Sequence, residues 1–149
     1  MFCISQDQRH GSTWSVFELL VIASLLRVTC QSLQTAAVKG VLFCGHKPAG
    51  KVKVRLMDAD IIFDDLMDEG LTDNEGAFYL SGSESEITNI DPVLKIYHNC
   101  DDGFMPCSRR WTITIPSQYV TDKAAKVTKV FDIGRVNLEC RIHEDRNCF

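Results

Sequence analysis

The chain has 149 residues, of which 45% are hydrophobic and 24% charged. That is enough apolar material for one core, too little chain for two ordinary domains, and unlike a disordered sequence. The formal net charge of -4, with Arg109-Arg110 as the longest basic run, lacks the electrostatic footprint of a nucleic-acid binder.

The first element is apolar. Trp14–Leu26 is shorter than a membrane span of roughly 20 residues, and Glu18 interrupts it. It fits the hydrophobic region of a signal peptide, with the small residues Val28 and Cys30 placed for cleavage before Gln31. The basic region ahead of it is thin, with Arg9 set against Asp7. The expected organisation is a signal peptide over 1–30 and one secreted domain over 31–149.

Beyond Gln31 the pattern is of strands and turns. Ala36–Cys44 reads as a strand with Val38, Leu42 and Cys44 on one face and Val41 and Phe43 on the other. The Pro/Gly turn His46–Gly50 follows. Lys51–Asp58 alternates, with Val52, Val54 and Leu56 opposite Lys51, Lys53 and Arg55, as in a half-buried antiparallel strand. Asp60–Gly70 reads as a short edge strand and a polar loop, or as one helical turn. Thr72–Gly76 is a turn, and Ala77–Ser81 a strand.

Val93–Asn99 carries apolar residues on both faces, which suits a central strand, and Asp101-Asp102-Gly103 turns the chain. Arg110–Ile115 places Trp111, Ile113 and Ile115 together, and Pro116 ends it. Ser117–Thr121 is expected to make one helical turn with Ser117 as its N-cap. Lys126–Asp132 and Gly134–Cys140 read as two strands separated by a bend or hairpin at Ile133-Gly134. Arg141–Phe149 reads as a polar tail. About seven short strands and no long helix predict an all-β, two-sheet sandwich.

Seven cysteines are present, and cleavage before Gln31 leaves five. An odd count in a small secreted domain predicts two disulfides and one odd thiol. The candidates for bonding are Cys44, Cys100, Cys107 and Cys148, with all three connectivities open. Cys140 is the odd thiol, expected either to share a buried face with Val136 and Leu138 or to pair between molecules. No C-x-x-C pair exists to suggest zinc.

Other chemistry is thinly supported. Asp58 and Asp60 match the first two positions of an EF-hand loop, but Ile62 occupies the third and no glycine follows, so that loop fails. Asp64, Asp65 and Asp68 are left as solvated charge or a weak extracellular calcium site. His46, His98 and His143 show no H-x-x-x-H or H-E-x-x-H spacing, and there is no G-x-S-x-G elbow. A His98–Cys100 dyad is disfavoured, because Asp101 and Asp102 beside the thiol oppose its ionisation.

The segments VKGVLFCGHKPAGKVKVRLMD, DDLMDEGLTDNEGAFYLSGSESEITNIDPVLKIYHNC, PCSRRWTITIPSQYV and DIGRVNLE occur in that order. Together they resemble the nematode transthyretin-like family of secreted proteins. The resemblance implies an antiparallel β-sandwich of the transthyretin (immunoglobulin-like, prealbumin-type) kind, stapled by disulfides. In that pattern the recurrent cysteines match Cys44, Cys100, Cys107 and Cys148, and Cys140 is an extra. The distantly similar hydroxyisourate hydrolases carry a C-terminal Tyr-Arg-Gly-Ser signature, which Arg146-Asn147-Cys148-Phe149 does not match. Fold alone assigns no activity.

The expectation is a secreted, non-enzymatic binding protein without cofactor, metal or transmembrane span. As the resemblance implies, its partner is a phospholipid head group or an extracellular protein such as a cell-surface receptor. The expected contact loops are Asp60–Asp73 and Asp101–Met105, with Asp64, Asp65, Asp68, Asp101, Asp102 and Phe104 as contact residues. For Phe104 and Met105 individually, core packing is the commoner fate. The alternatives are a carrier of a small apolar ligand and a hydrolase built on converging histidines. Oligomeric state is not legible.

Overall fold

The computed structural model describes residues 32–60, 63–122, 126–141 and 144–148. The expected signal peptide, its cleavage point and His143 lie outside the described residues. In chain order the strands are β1 (Ser32–Cys44), β2 (Lys47–Pro48), β3 (Lys53–Asp58), β4 (Asp65–Leu71), β5 (Ala77–Glu86), β6 (Pro92–His98), β7 (Ser108–Thr114), β8 (Thr121–Asp122), β9 (Phe131–Asn137) and β10 (Glu144–Asn147). A single 3-10 turn spans Ser117–Tyr119. The described residues are all-β, built as two five-stranded sheets.

In the first sheet β1 is the spine. β5 pairs along one edge, from Ser32↔Glu86 to Val41↔Ala77. β8 and β9 share the other edge. The second sheet runs β10-β7-β6-β3-β4, antiparallel throughout. The facing rows meet in one core that includes Val38, Leu42, Val54, Leu56, Leu94, Ile96, Trp111, Ile115 and Leu138, each no more than 2% exposed. The alternations of β3, β6 and β7 therefore point inward as their periodicity dictates, and β6 is central.

Four secondary-structure expectations are corrected. Asp60–Gly70 does not open on an edge strand followed by a loop: residues 60, 63 and 64 form no strand, and the edge strand is β4 beyond them. Ile133-Gly134 makes no hairpin. β9 runs through it as one strand, parallel to β1, with a register shift between Lys39 and Val41 and Gly134 at φ 70°. The segment 127–130 before it forms no strand. Within the polar tail, Glu144–Asn147 adds to β7 as β10, a strand not expected from the sequence. The turn at Ser117 has Pro116 as its N-cap and no side-chain cap.

Two disulfides lock this arrangement. Cys44–Cys100 joins the end of β1 to the loop after β6, and so ties the two sheets together. Cys107–Cys148 fastens the residue after β10 to the residue before β7. With sequence separations of 56 and 41 residues, each stabilises by about 4 kcal/mol in the chain-entropy account. Cys140 is free and exposed, not buried beside Leu138. The strand stops at Asn137, and a turn over 138–140 breaks the alternation that carried the expectation.

Arg109 is a charged residue inside the core, with a fully buried side chain. Its Nε and Nη2 donate to Glu144 Oε2 at 2.7 and 2.6 Å, and its Nη1 donates to the Cys100 carbonyl at 2.8 Å. Trp111 Nε1 donates to the same Glu144 oxygen at 3.2 Å. The Arg109 hydrogen bond holds the Glu144 carboxyl below its usual pKa. A buried cation is tolerable when its donors are met in this way.

Candidate functional site

The alternation KVKVR that buries Val54 also decides what its neighbours do. With Val54 and Leu56 inward, Lys53 and Arg55 stand on the outer face of the second sheet, and Lys51 precedes them in a turn at φ 59°. β6 pairs Tyr97 with Lys53, and β10 pairs Asn147 with Ser108 of β7. These residues, from four neighbouring strands, line one open groove of about 560 Å³. The volume suits a small ligand or a head group.

The groove is cationic and aromatic. Arg55 lies over the Tyr97 ring, 5.7 Å from its centroid. Arg55 Nε donates to Glu69 Oε2 at 2.9 Å, and Lys53 Nζ lies 3.6 Å from the same oxygen. That shared ion pair, led by the Arg55 hydrogen bond, lowers the Glu69 pKa. Lys53 and Arg55 share one carboxylate and Lys51 adds a third cation to the lining, so the groove keeps net positive charge inside a chain whose formal charge is negative.

His98 also lines the groove but is 4% exposed, with its ring edge against Trp111 at 5.3 Å between centroids. Neither ring nitrogen has a hydrogen-bond partner. Burial, reinforced by the Arg109 charge, lowers its pKa to about 4. At neutral pH His98 is an uncharged ring. It is not a dyad with Cys100, whose sulfur is bonded to Cys44. His46 lines a different, smaller groove with Phe43 and Arg135, so the structure does not bring it to His98.

The expected contact residues separate by environment. Asp64 pairs with Lys95. Asp68 is half-buried, and its Oδ2 accepts from the Ser81 backbone at 2.8 Å, bridging β4 to β5. Asp65 opens β4 and is exposed. Asp101 is exposed at φ 51°. Asp102 is buried, and its two oxygens accept from Arg146 at 2.6 and 2.8 Å. Asp64, Asp68 and Asp102 are therefore committed to contacts within the protein.

Phe104 and Met105 do not pack into the core. Phe104 is fully solvent-exposed and Met105 is 55% exposed. Pro106, the next residue in the same loop, lines the groove, so the chain carries this exposed apolar pair directly into the groove wall. The cations carried a signal in the strict alternation of Lys51–Arg55. Tyr97, Ser108 and Asn147 carried none, because strand pairing brings them in from distant parts of the chain.

The model of the transthyretin-like family matches residues 39–116. Transthyretin-like protein 33 of Caenorhabditis elegans is 45% identical over 137 residues, covering 90% of this chain and 92% of that protein. Transthyretin-like protein 5 of the same organism is 48% identical over 107 residues, covering 70% and 76%. Among solved structures, a 9R-lipoxygenase from Cyanothece aligns at 15% identity with a TM-score of 0.38, covering 89% of this chain and 18% of that one, and carries no argument. Family match and relatives span the groove strands β3, β6 and β7 alike: the chain belongs to the transthyretin-like family.

Proposed function

We propose that the protein is a secreted, non-enzymatic extracellular binding protein whose groove receives the anionic head group of a phospholipid. The observation that carries this reading is the cationic row Lys51, Lys53 and Arg55 on an open groove, one wall of which, Pro106, follows the exposed Phe104 and Met105 in the chain. Cations attract a phosphate or carboxylate, and apolar side chains beside them enter the acyl boundary of a membrane. Two disulfides and the apolar N-terminal stretch support export.

The test is co-sedimentation with vesicles of phosphatidylcholine alone and of phosphatidylcholine with phosphatidylserine. Wild type should pellet with the anionic vesicles only. The double variant K53E/R55E should lose most of that binding, and Phe104→Ala should weaken it. Equal binding to both vesicle types, or undiminished binding by K53E/R55E, would overturn the reading.

A further inference from the structure

A second feature lies at the opposite end of β3 from Lys53. Asp58 ends that strand and is 2% exposed. Its Oδ1 accepts from the Asp91 backbone N–H at 2.7 Å, whereas its Oδ2 is buried without a hydrogen-bond partner. A carboxylate oxygen in that condition costs free energy until a proton or a cation meets it. Burial raises the Asp58 pKa against the lowering effect of the Asp91 hydrogen bond, and the charges of Asp60 and Glu86 raise it further.

Two more carboxylates converge there. Asp60 lies two residues on, and Glu86 ends β5 in the other sheet. One oxygen from each of Asp58, Asp60 and Glu86 lies within 4.8 Å of the others. Among the described residues no lysine or arginine pairs with any of the three. Thr88 Oγ1 donates to Glu86 Oε2 at 3.3 Å, leaving the other oxygen of Glu86 for a ligand.

We propose that Asp58, Asp60 and Glu86 bind a calcium ion that clamps the end of β3 to the end of β5. An all-oxygen, triply anionic donor set suits a hard divalent cation. Calcium bonds at about 2.3–2.6 Å allow two ligand oxygens to sit as far as about 5 Å apart, which accommodates the observed spacing with little movement. Magnesium, at about 2.0–2.1 Å with strict octahedral angles, requires a much tighter set. The failed EF-hand spacing after Asp60 is no obstacle, because the third carboxylate comes from across the sandwich instead of from the same loop.

The test uses the secreted protein in matched ionic strength, with calcium chloride, magnesium chloride or sodium chloride plus chelator. Isothermal titration should show one calcium site with Kd about 10⁻⁴–10⁻³ M, the range of extracellular modules. Calcium should raise Tm by several degrees over the chelated sample, and Glu86→Gln and Asp58→Asn should each lose the increase. Glu86 is only partly buried, so E86Q keeps the test open if D58N folds poorly. An unchanged wild-type Tm with no binding heat overturns the proposal, as does an equal response to magnesium or a full calcium response in E86Q. None of these readouts involves vesicles, so the clamp and the head-group site stand or fall separately.

Discussion

Replacing His98 with phenylalanine should flatten the acid side of the stability profile. The ring is buried, neither nitrogen is hydrogen-bonded, and its pKa falls from 6.5 to about 4. In the unfolded chain the histidine protonates near its ordinary value. As pH drops below about 6.5 the unfolded state takes up a proton that the folded state refuses, so stability falls with pH until the folded ring also titrates near pH 4. For those two values the loss between neutral pH and about pH 5 is about 2 kcal/mol. Phenylalanine keeps the edge contact to Trp111 and removes the titration. Urea denaturation of both proteins at about pH 7.5 and 5 measures the difference of differences, which cancels the carboxylates they share. An acid loss in His98→Phe equal to that of wild type would refute the assignment of a neutral, desolvated ring.

Three further outcomes are expected. Arg109→Met should destabilise by about 1–3 kcal/mol in urea denaturation, since it takes the Arg109 donor from the Cys100 carbonyl and leaves Glu144 the Trp111 Nε1 hydrogen bond without its ion pair; an unchanged midpoint would contradict the burial argument. Gly82→Ala should cost roughly 1–3 kcal/mol, because a Cβ there would sit 2.6 Å from the Met67 carbonyl oxygen where β4 crosses β5; an unchanged denaturation midpoint would show that the edge strand yields. Native thiol titration of the 31–149 domain should find one reactive cysteine, abolished in Cys140→Ser with no change in urea midpoint, since this exposed side chain is outside both disulfides; a stability loss above about 0.5 kcal/mol would mean that the thiol packs.

The legible parts of the fold were those governed by a two-residue period. β3, β6 and β7 bury one row each, and the rows read correctly because burial imposes the alternation. β4 and β10 were illegible for the opposite reason. DLMDEGL and EDRN have little intrinsic strand character. They are strands because a neighbour's edge pairs with them and because partners such as Ser81 for Asp68 and Arg110 for Asp145 hold them there. The parallel contact of β9 with β1 is likewise set by tertiary packing, and Gly134 marked it only as a break. In the groove, the cations were visible as the discarded half of an amphipathic strand. Nothing local linked them to Tyr97, Ser108 or Asn147.

The second sheet ends in a strand of four residues held by ion pairs and by Cys107–Cys148. Asn147 and Cys148 are also a wall of the groove. One covalent bond therefore governs two properties that look unrelated. Reducing it leaves β10 to its ion pairs and its ladder alone, which loosens the groove wall and the cover over the hydrogen-bonding edge of β7 together. The redox state of the surroundings therefore bears on both at once: an oxidising medium keeps the groove wall fastened and the β7 edge covered, and a thiol-rich one removes the bond that holds them so.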